Sequence, residues 1–258
     1  MPGMRVRIAG LAALLLVLAG CGSTSEAGGS TATKPTATTA AKARACKPGL
    51  RRLGSERLAY AGIVERPVRA YRRPGRAPFA RFGLKNVNGV ATVFAVLGEV
   101  VGRSCRPTWY HVQLPMRPNG ASGYVRAASL SVTKVRTRIE VDVSARRLTF
   151  FRSGRPIVRS RIAVGAAATP TPIGRFYVNQ KLIPYDTSGP FGPGAIGISA
   201  FSNVLTGWTQ GGPVAIHGTN EPSLIGRPIS NGCIRLPNPV LRRLFRATPA
   251  GTPVVVHP

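Results

Sequence analysis

Val214-Ala215-Ile216-His217-Gly218-Thr219-Asn220-Glu221-Pro222-Ser223-Leu224-Ile225-Gly226-Arg227-Pro228-Ile229-Ser230-Asn231-Gly232-Cys233-Ile234-Arg235-Leu236 joins two short apolar runs by a loop rich in turn formers. The first run is too short for a helix and ends on a histidine, which reads as a buried strand delivering His217 to its tip. The second run opens with Gly232-Cys233. A thiol and an imidazole are what thiolate catalysis requires: the ring accepts or holds the proton and the sulfur attacks a carbonyl. Gly232, lacking a Cβ, lets backbone amides approach a developing oxyanion. Spacing alone leaves a second reading open, a buried free cysteine beside a hydrogen-bonded core histidine.

Outward from this stretch, residues 137–258 read as mostly strand. Ile139-Glu140-Val141-Asp142-Val143 alternates apolar with polar, Arg147-Leu148-Thr149-Phe150-Phe151 follows, and a turn at Ser153-Gly154 leads towards the next strand. Ile162 to Gly165, Gly174 to Val178 and Thr252 to Val256 continue the pattern. A single helix is predicted after Asn238, with Pro239 suited to the first helical position and Val240, Leu241, Leu244 and Phe245 on one face. Ser188-Gly189-Pro190-Phe191-Gly192-Pro193-Gly194 reads as a loop, either bordering a cleft or simply connecting strands.

Between Cys46 and Val132 short β segments are broken by Gly and Pro, with strands expected over 89–96 and 108–114 and a turn at Arg117-Pro118-Asn119-Gly120. Trp109-Tyr110-x-Val112-x-Leu114, the turn, and Gly123-Tyr124-Val125 resemble bacterial SH3-like domains, with the aromatic residues expected in the core. Upstream, residues 22–45 are mostly Ser, Thr, Ala, Gly and Pro without large apolar residues, a composition that favours a disordered tether. Arg5 and Arg7 precede an apolar run from Ile8 to Leu18, shorter than a membrane span, which ends in Leu18-Ala19-Gly20-Cys21. This resembles the lipobox of bacterial lipoproteins, so residues 1–21 are expected to be a signal peptide whose removal leaves Cys21 lipidated. The expected location is extracytoplasmic, held to the membrane and facing the wall.

That compartment is oxidising. With Cys21 taken by lipid, Cys46 and Cys105 are expected to form a disulfide, stabilising by roughly 4 kcal/mol in the chain-entropy account. Cys233 is left without a partner. Among 258 residues, 36 Lys and Arg face 8 Asp and Glu, a formal net charge of +28 that favours polyanionic surroundings. No helix-turn-helix, RRM or zinc-finger signature accompanies the charge, so no nucleic-acid partner is expected. The spacing of His111, His217 and His257 fits no zinc motif, and neither metal nor cofactor is expected.

His217-Gly218-Thr219-Asn220, through Ser230-x-Gly232-Cys233-Ile234-Arg235-Leu236, resembles the active-site motif of the YkuD-type L,D-transpeptidase catalytic domain. Thr171-Pro172-Ile173-Gly174-Arg175-Phe176 and Gly197-Ile198-Ser199 fit the same family in order. The resemblance covers the last half of the chain. It implies a mainly β fold, with a small SH3-like domain (46–132) before a β-rich, sandwich-like catalytic domain (135–258) carrying one or two helices. By resemblance, Cys233 is the nucleophile and His217 the base, with the Gly218 carbonyl orienting the ring and the amides of Gly232 and Cys233 stabilising the oxyanion. Arg235, Ser230, Asn231 and Thr219 become candidates for substrate binding. Many relatives carry histidine where this chain has Asn231, so no proton transfer is expected there.

The activity so implied is acyl transfer in peptidoglycan: Cys233 takes an acyl group from one stem peptide and passes it to the diamino acid of another, giving a 3→3 cross-link. Peptidoglycan stem peptides are then the partners as donor and acceptor, and a monomer is expected. Transfer to water instead would make an L,D-carboxypeptidase. A non-catalytic wall-binding lipoprotein is the alternative from another class, and it would need neither Cys233 nor His217.

Overall fold

The computed structural model describes residues 47–258, which form mainly β structure. The expected signal peptide, Cys21, the expected tether and Cys46 lie outside the described residues. Residues from Ala45 onward form one compact unit.

Eight strands make the first sheet: β1 (Gly49–Arg52), β2 (Ala59–Val64), β3 (Val68–Tyr71), β4 (Pro78–Phe82), β5 (Val93–Val101), β6 (Pro107–Gln113), β7 (Ser122–Arg126) and β8 (Leu130–Val135). They run in the order β4-β3-β7-β6-β5-β2-β8, with β1 paired to β5. Alternation along β5 and β6 turns Phe94, Val96 and Val112 into a core shared with Val64, Val68, Leu114 and Val125. Trp109 is only 7 % exposed; its ring meets Tyr71 edge-on and the Arg126 guanidinium lies over it, as expected of a core aromatic. The strand expected over 89–96 starts later. Asn86 to Val90 form a turn with Gly89 at φ +75°, closed by hydrogen bonds between Asn86 and Val90, so β5 begins at Val93 and continues through Gly98. Gly98 is required there because the Arg51 carbonyl of β1 would sit 2.8 Å from any Cβ.

The second sheet comprises β9 (Thr137–Asp142), β10 (Arg147–Arg152), β11 (Arg155–Arg161), β13 (Gly174–Leu182), β14 (Ala195–Phe201), β15 (Pro213–His217), β17 (Ile234–Arg235) and β18 (Pro253–His257). A parallel pair, β12 (Val164–Gly165) with β16 (Pro228–Ser230), stands apart from it. The order in the sheet is β11-β10-β9-β18-β13-β14-β15-β17. One helix, α1 (Asn238–Ala247), closes the core with Leu241 and Leu244, both wholly buried. Ile139, Val141, Phe150, Val178, Ile196, Ile198, Val214, Ile216, Ile234 and Leu236 belong to this same core. The strand expected over 162–165 shrinks to Val164–Gly165, because Ile162 and Ala163 bond instead to Arg146 and Arg235.

Arg136 is the only residue between β8 and β9. The sheets also touch elsewhere. The wholly buried Tyr177 donates its hydroxyl to the Val93 carbonyl at 3.1 Å, and Gln113 donates to the Arg175 carbonyl at 2.8 Å. A Cβ on Gly251 would lie 2.3 Å from that of Ala61, so the backbones meet closely there.

Candidate active site

Strand parity places the reactive side chains. β15 and β17 pair in parallel, with Ile216 beside Ile234 and His217 beside Arg235. Both isoleucines are fully buried in the core, so the alternate residues point to the opposite face. Extending the register by one residue sets Cys233 beside Ala215, whose backbone hydrogen-bonds the thiol. His217, Cys233 and Arg235 therefore share the face turned away from the core, with Cys233 and His217 diagonal to each other across adjacent strands.

The imidazole is fixed from two sides. His217 is 4 % exposed, and its Nδ1 lies 2.7 Å from the Gly218 carbonyl oxygen. A carbonyl only accepts, so Nδ1 carries the proton and Nε2 keeps the free lone pair that a base needs. The Phe191 ring packs on the imidazole with centroids 4.9 Å apart. Burial drives the His217 pKa down to about 4; the bond to Gly218 opposes that shift, and the Arg235 charge adds to it. Burial also pushes the Cys233 thiol up, against the Ala215 backbone bond and the Arg235 guanidinium, which both favour the thiolate. The resting pair is thus neutral imidazole and thiol. In such a pair a general base would take the proton from sulfur during an attack rather than before it.

The turn before Cys233 is held by Ser230. Its Oγ accepts the Gly232 N–H at 3.2 Å and donates to the Cys233 carbonyl at 2.5 Å. Gly232 has φ +105°, a conformation that a side chain would strain. The Gly232 amide is directed at Ser230, and its backbone conformation aims Cys233. Ser230 is 2 % exposed, and both functions of its hydroxyl are spent within the turn. Thr219 is likewise 2 % exposed; its N–H goes to Asn238 Oδ1 at 2.8 Å and its hydroxyl accepts the Glu221 N–H. Both bonds hold the loop after His217. Asn231 is exposed at the lip of the site.

Arg235 pairs with Glu221 at 3.2 Å through Nη1, while its buried Nε has no hydrogen-bond partner. It remains the cation nearest the nucleophile in sequence, with part of its hydrogen-bonding capacity unspent.

Sequence reasoning passed over the supports. The Thr169 hydroxyl and the Ala166 N–H both donate to the Ser230 carbonyl, each at 2.9 Å, bracing the turn from below. Asn238, read only as the start of a helix, ties Thr219 to α1. Asn238 Oδ1 would also lie 2.4 Å from a Cβ on Gly192 and 2.3 Å from one on Gly218, so both positions need glycine for the loop and strand to close on it. The run from Ser188 to Gly194 borders the site: the Phe191 carbonyl accepts the Gly218 N–H at 2.9 Å.

Cys233 is the free cysteine among the described residues and is half-buried. Cys105 is disulfide-bonded, and its expected partner Cys46 lies outside the described residues. Among the described residues no group of three His, Cys, Asp or Glu is placed to hold a metal ion. A cavity of about 870 Å³ opens between the two sheets beside His111, Arg138 and Arg175, but neither Cys233 nor His217 lines it.

Residues 136–256 match the YkuD family, described as the L,D-transpeptidase catalytic domain. Over 120 residues the chain is 35% identical to the protein named "Putative L,D-transpeptidase YkuD" from Bacillus subtilis, covering 46% of this chain and 65% of that protein. The protein of the same name from Bacillus licheniformis is 36% identical over 122 residues, covering 47% and 66%. The chain thus spans a little under two thirds of the length of these curated relatives. Among solved structures, the catalytic domain of an Enterococcus faecium L,D-transpeptidase is 27% identical, covers 47% of this chain and 96% of that chain, and superposes with a TM-score of 0.35. Residues 136–256, just under half of the chain, are thus similar to the YkuD-type L,D-transpeptidase catalytic domains.

Proposed function

We propose that this chain is a peptidoglycan L,D-transpeptidase that forms 3→3 cross-links through a thioester on Cys233. The carrying observation is the placement of Cys233 and His217 on one face of β15 and β17, with Nδ1 bound to the Gly218 carbonyl and Nε2 left to accept a proton. Cys233 Sγ attacks the carbonyl of the diamino acid at stem position three as its proton passes to His217 Nε2. That proton then leaves on the amine of the expelled D-alanine. The side-chain amine of a second stem attacks the thioester, gives a proton to His217 and releases the thiol, completing ping-pong transfer. The Cys233 amide is the oxyanion donor in this scheme, and the Arg235 guanidinium receives a substrate carboxylate.

The other parts serve that reaction at the wall. Lipidated Cys21 anchors the chain to the membrane, residues 22–45 form the tether, and the first sheet is an SH3-like module, a spacer or a glycan binder, closed by a disulfide between Cys46 and Cys105. The test is mass spectrometry of the purified chain incubated with disaccharide-tetrapeptide, beside the Cys233→Ala variant. A dimer formed with loss of D-alanine, absent from the variant, is expected. Tripeptide alone would redirect the reading to a carboxypeptidase, and no Cys233-dependent product would refute the enzyme.

A further inference from the structure

The sheet that carries Cys233 has an unassigned polar feature on the same face. In register across four strands lie Gln180 of β13, Gly197 of β14, Ala215 of β15 and Cys233. Paired residues point to the same side of a sheet, so Gln180 lies on the nucleophile's face. Its packing agrees: a Cβ on Gly197 would stand 2.5 Å from Gln180 Cγ and 3.1 Å from Asn179 Oδ1. Between this end and Cys233 the floor carries nothing larger than the methyl of Ala215.

At that end carboxamides converge from both sheets. Asn86 and Asn88, in the turn before β5, each donate Nδ2 to Gln180 Oε1, at 2.8 and 2.9 Å. Gln210 donates to Asn88 Oδ1 at 3.0 Å. Asn179 Oδ1 is buried and has no hydrogen-bond partner. These residues line a cavity of about 370 Å³ that also includes Pro213, at the start of the strand ending in His217. A cluster of neutral amides with an unspent acceptor fits a ligand presenting its own amide N–H and carbonyl groups.

Distance sets which part of a ligand arrives there. From Cys233 to Gly197, over which the Gln180 side chain lies, is two strand spacings, about 10 Å. Extended chain covers about 3.3–3.6 Å per residue, so three residues span the interval. Resting on the transpeptidase reading above, we infer that Asn86, Asn88, Asn179 and Gln180 form a remote subsite for the acyl donor. It binds the peptide's amide-linked far end, three residues before the carbonyl that Cys233 attacks. The first sheet then completes the donor groove through Asn86 and Asn88.

The experiment compares three donors on the intact chain: a capped dipeptide of diamino acid and D-alanine, an N-acylated tetrapeptide, and the disaccharide-tetrapeptide. The acylated tetrapeptide is expected to exceed the dipeptide in kcat/KM by about tenfold, the scale of one or two amide hydrogen bonds. In Asn88→Ala and in Gln180→Glu that ratio falls to within about threefold of unity. Gln180→Glu keeps the acceptor for Asn86 and Asn88 while removing the Nε2 donor, and melting temperatures identify any variant that has merely lost its fold. A long-to-short ratio near one in the unmodified chain overturns the subsite, as does a ratio that both variants preserve. A preference appearing only with the disaccharide overturns it in favour of a glycan contact. Turnover of the dipeptide without any length effect would sink the subsite and leave the transpeptidase standing. Failure with all three donors would remove the enzyme reading and the subsite together.

Discussion

His217 is a titratable side chain held largely out of water. Its folded pKa near 4 lies below the 6.5 of the free side chain. Between those values the unfolded chain binds a proton that the folded one refuses, so stability rises with pH from about 4 to 6.5 and is lost as pH falls through that window. The full effect is about 3 kcal/mol from the size of the shift. Denaturation midpoints between pH 4 and 7 should show this slope in the unmodified chain and lose most of it in His217→Asn. A slope that persists unchanged in the variant would assign it to other groups. Cys233 and His217 were legible in the sequence because thiol and imidazole announce their chemistry and stand in a recognisable motif. Ser230, Thr219 and Asn238 were not, because their roles depend on which backbone groups the fold brings within reach. A serine that supports a turn and one that binds substrate look alike until the Gly232 amide and the Cys233 carbonyl are placed.

At the scale of elements, the placement of Cys233 depends on a loop that contains no reactive group. Residues 165–171 wrap so tightly that a Cβ on Gly165 would lie 2.3 Å from the Thr169 carbonyl oxygen and 2.4 Å from the Thr171 nitrogen. Both are backbone atoms that cannot swing aside. Gly165→Ala should destabilise by about 3 kcal/mol and lower turnover, since the displaced Thr169 and Ala166 would release the Ser230 carbonyl. Gly207→Ala, where a Cβ meets nothing within 4 Å, is the control and should stay within about 0.5 kcal/mol. Chemical denaturation reads both, and equal effects would contradict the packing described. Strands such as β9 and β10 were readable because alternation of Ile139, Val141, Leu148 and Phe150 continues through the whole element. The two-residue β17 and the three-residue β16 were not, being too short to show a period and held by partners distant in sequence. The start of β5 was misplaced for a related reason: Gly89-Val90-Ala91 has strand composition, but the Asn86 turn claims it.

Over the whole molecule, the two sheets are joined by more than the chain. Tyr177 is fully buried in the second sheet and its hydroxyl bonds the Val93 carbonyl of the first. Burial pushes that phenol well above its ordinary pKa, as expected of a group sealed from water. Calorimetry should therefore find one cooperative transition, and Tyr177→Phe should lower its midpoint by an amount worth about 1–2 kcal/mol without splitting it. Two separated transitions would show that the sheets unfold independently. The sequence pointed to two β regions, 46–132 and 135–258, and the strands form two eight-stranded sheets within one compact unit. Their mutual contacts were hidden, because residues such as Gln113 and Asn88 look like ordinary surface amides until their partners Arg175 and Gln180 are known.

The link between the sheets carries one more consequence. A hinge needs several residues to absorb a change in direction, and a single arginine between two paired strands offers almost none. Whatever the first sheet grips must ride with the nucleophile rather than swing over it. Such a molecule is a caliper of fixed opening, its two arms set by the link between the sheets.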